Sequence, residues 1–188
     1  MRPLNCRSCG YSLLFAGVIA STSLPAFAGD NHFVTIHGGD VHFAGQVVDA
    51  ACSVSADSRD QTVEMGQIRN TEFTSLGDWE DPVPFQIKLE DCATTVSHSV
   101  GVLFTGVSDD KDPQVFNVGW GAGAARGVGI GIFDAAGNLL TPDTAPVWYA
   151  PLQDGENILS YTARYRATDR VVHAGSADTQ VWFNVVYQ

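Results

Sequence analysis

The chain has 188 residues, with 10 Lys and Arg against 21 Asp and Glu and a formal net charge of −11. At 45% hydrophobic and 16% charged it is too apolar to be disordered, and so acidic a balance argues against a nucleic-acid partner, because phosphate contacts need clustered cations. No apolar run reaches the roughly 18 residues of a membrane-spanning helix, and the 19 glycines lack the three-residue period of collagen.

The N-terminus reads as a secretory signal peptide over residues 1–28. Arg2 and Arg7 form a basic flank, Tyr11 to Ala20 a short apolar segment, and Ala26-Phe27-Ala28 a small-residue cleavage site. Cleavage removes two arginines and leaves a more acidic mature chain. It also removes Cys6 and Cys9, whose C-x-x-C spacing would otherwise suggest a redox or zinc half-site. Cys52 and Cys92 remain, and in an oxidising compartment an even pair is expected to form one disulfide.

Mature residues 29–40 contain the β-prone run Phe33-Val34-Thr35-Ile36-His37 followed by Gly38-Gly39. Apolar residues at a chain terminus need a partner, either within the same domain or by strand addition to a neighbouring molecule. Alternation allows two faces. Phe33, Thr35, Gly39, Val41 and Phe43 share one, with His37 among them; Val34, Ile36 and Gly38 share the other.

Further along, Val41 to Val48 and Thr62 to Met65 are short strand candidates. Val83, Phe85, Ile87 and Leu89 alternate with Pro84, Gln86, Lys88 and Glu90, which predicts a half-buried strand ending beside Cys92. Val100 to Val107 and Val128 to Phe133 follow. In the second of these Gly127, Gly129 and Gly131 alternate with Val128, Ile130 and Ile132, giving a strand with one bare face that another group could approach closely. Leu159, Tyr161, Ala163 and Tyr165 define a further strand, as do Val181, Phe183, Val185 and Tyr187. Turn signals lie between them, at Ser108-Asp109-Asp110, Ala136-Gly137-Asn138 and Gln153-Asp154-Gly155. No window carries a helical period. The pattern predicts an all-β, immunoglobulin-like sandwich.

Little in the chain points to catalysis or metal chemistry. His32, His37 and His42 are spaced by five, which alternates their faces on an extended strand. Asp109, Asp110 and Asp112 lack the alternating pattern of a calcium loop and read as a solvated turn. Neither a phosphate-binding glycine motif nor a G-x-S-x-G nucleophile elbow occurs. Trp79, Trp120, Trp148 and Trp182 suit a sugar site or a sandwich core equally well. We therefore expect no enzyme activity, no cofactor and no metal.

Taken together, the two ends resemble the pilin family of chaperone-usher fimbriae, specifically type 1 fimbrial subunits. The matching features are the signal peptide, Gly38-Gly39-Asp40-Val41-His42-Phe43, Val47-Val48-Asp49-Ala50-Ala51-Cys52, Gln61-Thr62-Val63 followed by Met65-Gly66-Gln67, Cys92, Ala163-Arg164-Tyr165 with Ala167-Thr168, Gly175 and the penultimate Tyr187. Pro82-Val83-Pro84-Phe85, Lys111-Asp112-Pro113, Tyr165-Arg166-Ala167-Thr168 and Gln180-Val181-Trp182-Phe183 look most like a fimbrin-like minor subunit.

The resemblance implies an incomplete immunoglobulin-like sandwich, residues 41–188, that lacks its last strand and is completed in trans by donor-strand complementation. It implies a donor extension over residues 29–40 and favours the face containing Gly39 and Val41. The strand Val181, Phe183, Val185, Tyr187 and the terminal Gln188 would bind a periplasmic pilus chaperone. Other implied partners are an outer-membrane usher and neighbouring fimbrial subunits, in a fimbria on the surface of a Gram-negative bacterium. A minor subunit at the base or terminating the rod is the expected role; a major rod pilin and a carbohydrate-binding tip adhesin are the alternatives.

Overall fold

The computed structural model describes residues 36, 38–45 and 50–188. Nine strands and one helical turn follow in order: β1 (Ser53–Val54), α1 (Ala56–Arg59), β2 (Val83–Cys92), β3 (Ser99–Thr105), β4 (Phe116–Asn117), β5 (Val128–Phe133), β6 (Leu139–Leu140), β7 (Ala150–Pro151), β8 (Gly155–Ala167) and β9 (Trp182–Tyr187). One sheet has the order β1-β2-β8-β5-β4, with β6 also on β5, and the other the order β7-β3-β9. Every named pairing is antiparallel.

The alternation read from the sequence decides what is buried. Ile87 and Leu89 of β2 are fully buried, and Leu159, Tyr161, Ala163 and Tyr165 of β8 point the same way. Phe104 crosses from the smaller sheet to meet Tyr161 edge-on at 5.2 Å, and Phe85 stacks on Tyr161 at 5.6 Å. Aromatic pairs of this kind add about 1 kcal/mol each beyond area burial; the Phe104–Tyr161 pair links the two sheets, and the Phe85–Tyr161 pair joins the neighbouring strands β2 and β8 within one of them.

The bare face of β5 is filled as its glycines suggest. A Cβ at Gly131 would collide with the Trp79 ring, and one at Gly129 would lie 2.9 Å from the Phe116 carbonyl oxygen. Trp79 also meets Phe133 edge-on at 4.9 Å and lies under the Arg166 guanidinium at 4.8 Å. Arg166 in turn pairs with Asp112 at 3.0 Å. Both faces of β5 are thus covered, which explains its nearly continuous apolar burial.

Three expectations need correction. A helical turn is present at Ala56–Arg59, too short to impose a period on the sequence. It begins where Ser55 N donates to the Lys88 carbonyl at 3.0 Å, and Ser58 Oγ then accepts from Lys88 N at 2.9 Å, taking over from the β1–β2 ladder. Thr62 to Met65 forms no strand. Gln61 beside it donates from Nε2 to the Gln86 carbonyl at 3.1 Å, but the segment itself makes no ladder hydrogen bonds to another described strand. Val41 to Gly45 likewise has no regular structure, and residues 46–48 of that candidate lie outside the described residues.

The turn at Asp109 is built by local hydrogen bonds. Its Oδ1 accepts from Lys111 N at 2.9 Å and from Asp112 N at 3.0 Å, as an Asx turn does. Asp134 caps the β5–β6 hairpin in the same manner, accepting from Ala136 N and Asn138 N.

Candidate functional site

A groove of about 1090 Å³ runs along the sandwich between two stretches of chain. Residues 58–67 form one wall, and 177–183, leading into β9, form the other. The floor is apolar: Phe85, Ile87, Phe104, Ile130, Ile132 and Ala163, with Tyr165 at one end. Burial, and then the nearby Asp178 carboxylate, push the Tyr165 phenol above its ordinary value, so it stays neutral at physiological pH. Arg59, Asp60, Glu64 and Asp178 are the charged residues lining the groove.

The groove divides the interior. Ile87, Phe104, Ile132 and Tyr161 belong to one apolar cluster, against which Phe183 and Val185 pack. Val118, Ile130 and Tyr165 belong to another, against which Met65 and Ala177 pack. An apolar core interrupted in this way leaves both walls half-buried: Met65 on one side and Val181 and Phe183 on the other.

β9 is an edge strand, paired with β3 on one side only among the described strands. Val181, Phe183, Val185 and Tyr187 face inward and are half-buried, as their alternation predicts. An edge with free main-chain groups beside an apolar trough accepts an added strand by ordinary sheet physics.

Both ends of β9 are anchored. Cys52 and Cys92 are joined in a disulfide. Tyr187 Oη donates to the Cys52 carbonyl at 3.2 Å, fastening the last strand to the bridge. The Gln188 carbonyl oxygen accepts from Ser97 Oγ at 2.8 Å and from Ser99 Oγ at 2.9 Å. At the other end the wall 177–180 is set by Gly175. A side chain there would run into the backbone of Ala124 and Ala125 and sit 2.6 Å from the Gly123 carbonyl oxygen. The close approach lets Ser176 N donate to Gly123 O at 2.9 Å and Gly119 N to Asp178 O at 2.8 Å.

The chain divides between Gly45 and Gln46. In the first part Ile36, Val41 and Phe43 are exposed by 80%, 75% and 94%, and Gly39 has a φ of 118°, in the region that favours glycine. Phe33, Val34, Thr35 and His37 lie outside the described residues, as does the signal segment 1–28. The groove walls at 58–67 and 177–180, and the floor, were not foreseen as site residues. The alternation of Val63 and Met65 in a segment with no strand to pair with was the available signal for one of them.

Comparison with known proteins bears on what such a groove belongs to. Residues 41–188 match the model of a family described as fimbrial protein. The chain is 39% identical over 178 residues to long polar fimbria protein A of Salmonella typhimurium, covering 95% of each chain. It is 40% identical over 156 residues to a fimbrin-like protein of Salmonella typhi, covering 82% of this chain and 88% of that one. Among solved structures it is similar to a subunit of a chaperone-usher pilus, with a TM-score of 0.63, 29% identity and coverage of 83% of this chain and 99% of the other.

Proposed function

The chain belongs to the fimbrial protein family, and we propose that it is a pilus subunit that receives a donated β-strand in its groove and donates its own N-terminal extension to a neighbour. The family consists of structural subunits, not enzymes, and the fold is an immunoglobulin-like sandwich that lacks a strand. The observation that carries the proposal is the open trough between residues 58–67 and 177–183, floored by Ile87, Phe104, Ile130 and Ile132 beside the unpaired edge of β9.

In this reading a periplasmic chaperone occupies the groove first, contacting Val181, Phe183, Val185, Tyr187 and Gln188. The extension of another subunit then replaces it at an outer-membrane usher. The donor residues are Phe33, Thr35, Gly39, Val41 and Phe43. The opposite face would place Asp40 against an apolar floor, where an unpaired carboxylate costs several kcal/mol. Val34 and Ile36 then face outward.

The fimbrin-like motifs support a minor position, at the base or terminating the rod. A second reading, a repeating rod subunit, is supported by the groove's openness, since a subunit that ends a polymer by refusing a strand needs a closed one. Immunogold labelling of isolated fimbriae separates the two. A minor subunit gives one or a few grains confined to one end, and a rod subunit gives grains along the whole length. Absence of the protein from purified fimbriae would contradict both.

A further inference from the structure

A second cavity, of about 100 Å³, shares no lining residue with the groove. It touches four consecutive residues of β8, Ile158 to Tyr161. Two of these belong to each face of the strand, Leu159 and Tyr161 being buried and Ile158 and Ser160 exposed, so the cavity lies along the edge of β8. The register explains the opening. β2 runs beside β8 from Gly155 to Ala163, whereas β5 reaches back only as far as Thr162. Residues 158–161 therefore have no strand on their second side among the described residues, and alternate main-chain N–H and C=O groups there are left for another partner.

The rest of the cavity is held in place by close packing. Val100 and Gly101 of β3 and Ala150 of β7 close it from the smaller sheet. A Cβ at Gly101 would meet Pro146 at 2.6 Å, so the glycine lets the loop before β7 press onto β3. That loop is tied at one end by Asp143 N donating to the Phe104 carbonyl at 2.9 Å, and at the other by the pairing of Ala150 with Val100. It sets Trp148, 42% exposed, at the rim together with Ala135. Inside, Tyr161 is only 7% exposed, yet its hydroxyl has no hydrogen-bond partner among the described residues. A buried phenol ordinarily has one. Asp134 lies near, but its carboxylate is already taken by Ala136 N, Asn138 N and Asn138 Nδ2. Burial, and then that carboxylate, hold the phenol above its ordinary value, so it keeps its proton and can donate it to a partner.

These features select a class of ligand. None of the described residues lining the cavity is charged, which disfavours an ion. The volume equals that of about three waters in the liquid, enough for the inserted edge of one ring and too little for a stretch of peptide. An exposed indole offers a flat apolar face, and beside it hydroxyl groups and unpaired main chain offer donors and acceptors. A neutral sugar ring matches both, with an apolar C–H face and hydroxyls around its edge. We infer that this notch binds the terminal neutral pyranose of a glycan, with the C–H face of the ring on Trp148 and its hydroxyls on the Tyr161 phenol, the Ser160 hydroxyl and the free edge of β8. The site is separate from the strand-receiving groove and does not depend on what fills it.

The test titrates the full mature chain, in its chaperone complex, with glucose, galactose, mannose and N-acetylglucosamine, and with glucuronic acid as the charged control, read by ligand-observed NMR. A single ring of roughly twelve heavy atoms at ordinary ligand efficiency binds with a Kd on the order of 1 mM. At least one neutral sugar is expected to bind at that level, and glucuronic acid at least tenfold more weakly. Trp148→Ala should weaken the neutral sugar at least tenfold and Trp148→Phe by about threefold, since a smaller flat face remains. Tyr161→Phe keeps the ring in the core and removes only the hydroxyl, and should weaken it by roughly fivefold. No saturable binding of any neutral sugar by about 10 mM, tenfold above the expected Kd, overturns the site. Binding that W148A and Y161F leave unchanged does the same. Tighter binding of glucuronic acid than of the neutral sugars overturns the ligand class. If a side chain of another copy fills the notch instead, Trp148 is shielded from acrylamide in fimbriae and added sugar does not change this, which also overturns the proposal.

Discussion

Deletion of residues 29–40 is expected to leave chaperone binding largely intact and to abolish incorporation into the fimbria. The groove is lined by residues between 54 and 183, including the start of β9, all of them outside the deleted segment, so no wall or floor residue is lost. What goes is the donor half of the interaction. Burying one large apolar side chain such as Phe33 contributes about 2 kcal/mol, and each main-chain hydrogen bond made along the β9 edge about 1 kcal/mol. Loss of several such contacts together reduces the joint between subunits by many orders of magnitude. The measurement is the amount of truncated subunit in sheared, washed fimbriae against the amount bound to chaperone in the periplasm. Normal incorporation would contradict the donor role.

Replacing both Cys52 and Cys92 by Ser is the second large effect. The bridge spans a sequence separation of 40, which in the chain-entropy model is worth about 4 kcal/mol. That is a large part of the net stability of about 5 to 15 kcal/mol typical of a domain, and this domain also leaves its core divided. The loss is not confined to the unfolded chain, because Tyr187 ties β9 to the Cys52 carbonyl and Ala93 N donates to the Ala51 carbonyl at 2.8 Å. We expect the double variant to melt roughly 10 °C lower, with amide exchange rising first along β9. An unchanged melting temperature would show that the bridge does not carry this end of the groove.

The long strands were legible because one face of each is committed to the core. The alternation of Val83 to Leu89 and of Leu159 to Tyr165 is the burial pattern of β2 and β8. The glycine stripe of β5 was legible as a close approach, though not as the site of Trp79, since nothing local to Gly131 names a ring some fifty residues earlier in the chain. The two-residue strands β1, β4, β6 and β7 show no period because two residues have none. Thr62 to Met65 read as a strand and is not one, for a reason specific to this fold: its pattern suits a sheet position whose neighbour is absent from the described chain. The walls at 58–61 and 177–180 are set by tertiary hydrogen bonds, Ser58 to Lys88 and Gly119 to Asp178, which leave no local signature.

The central claim is that the groove is an empty strand position that this chain's kind of extension fills. It is tested most directly by adding a peptide of residues 29–43 to the purified chaperone complex and recording thermal melting of the subunit. Three buried apolar side chains, Phe33, Val41 and Phe43, together with main-chain bonds along β9 amount to about 10 kcal/mol, which predicts a peptide-bound subunit freed of chaperone and melting roughly 20 °C or more higher. A chaperone complex that neither exchanges nor changes its melting temperature at saturating peptide would contradict the account.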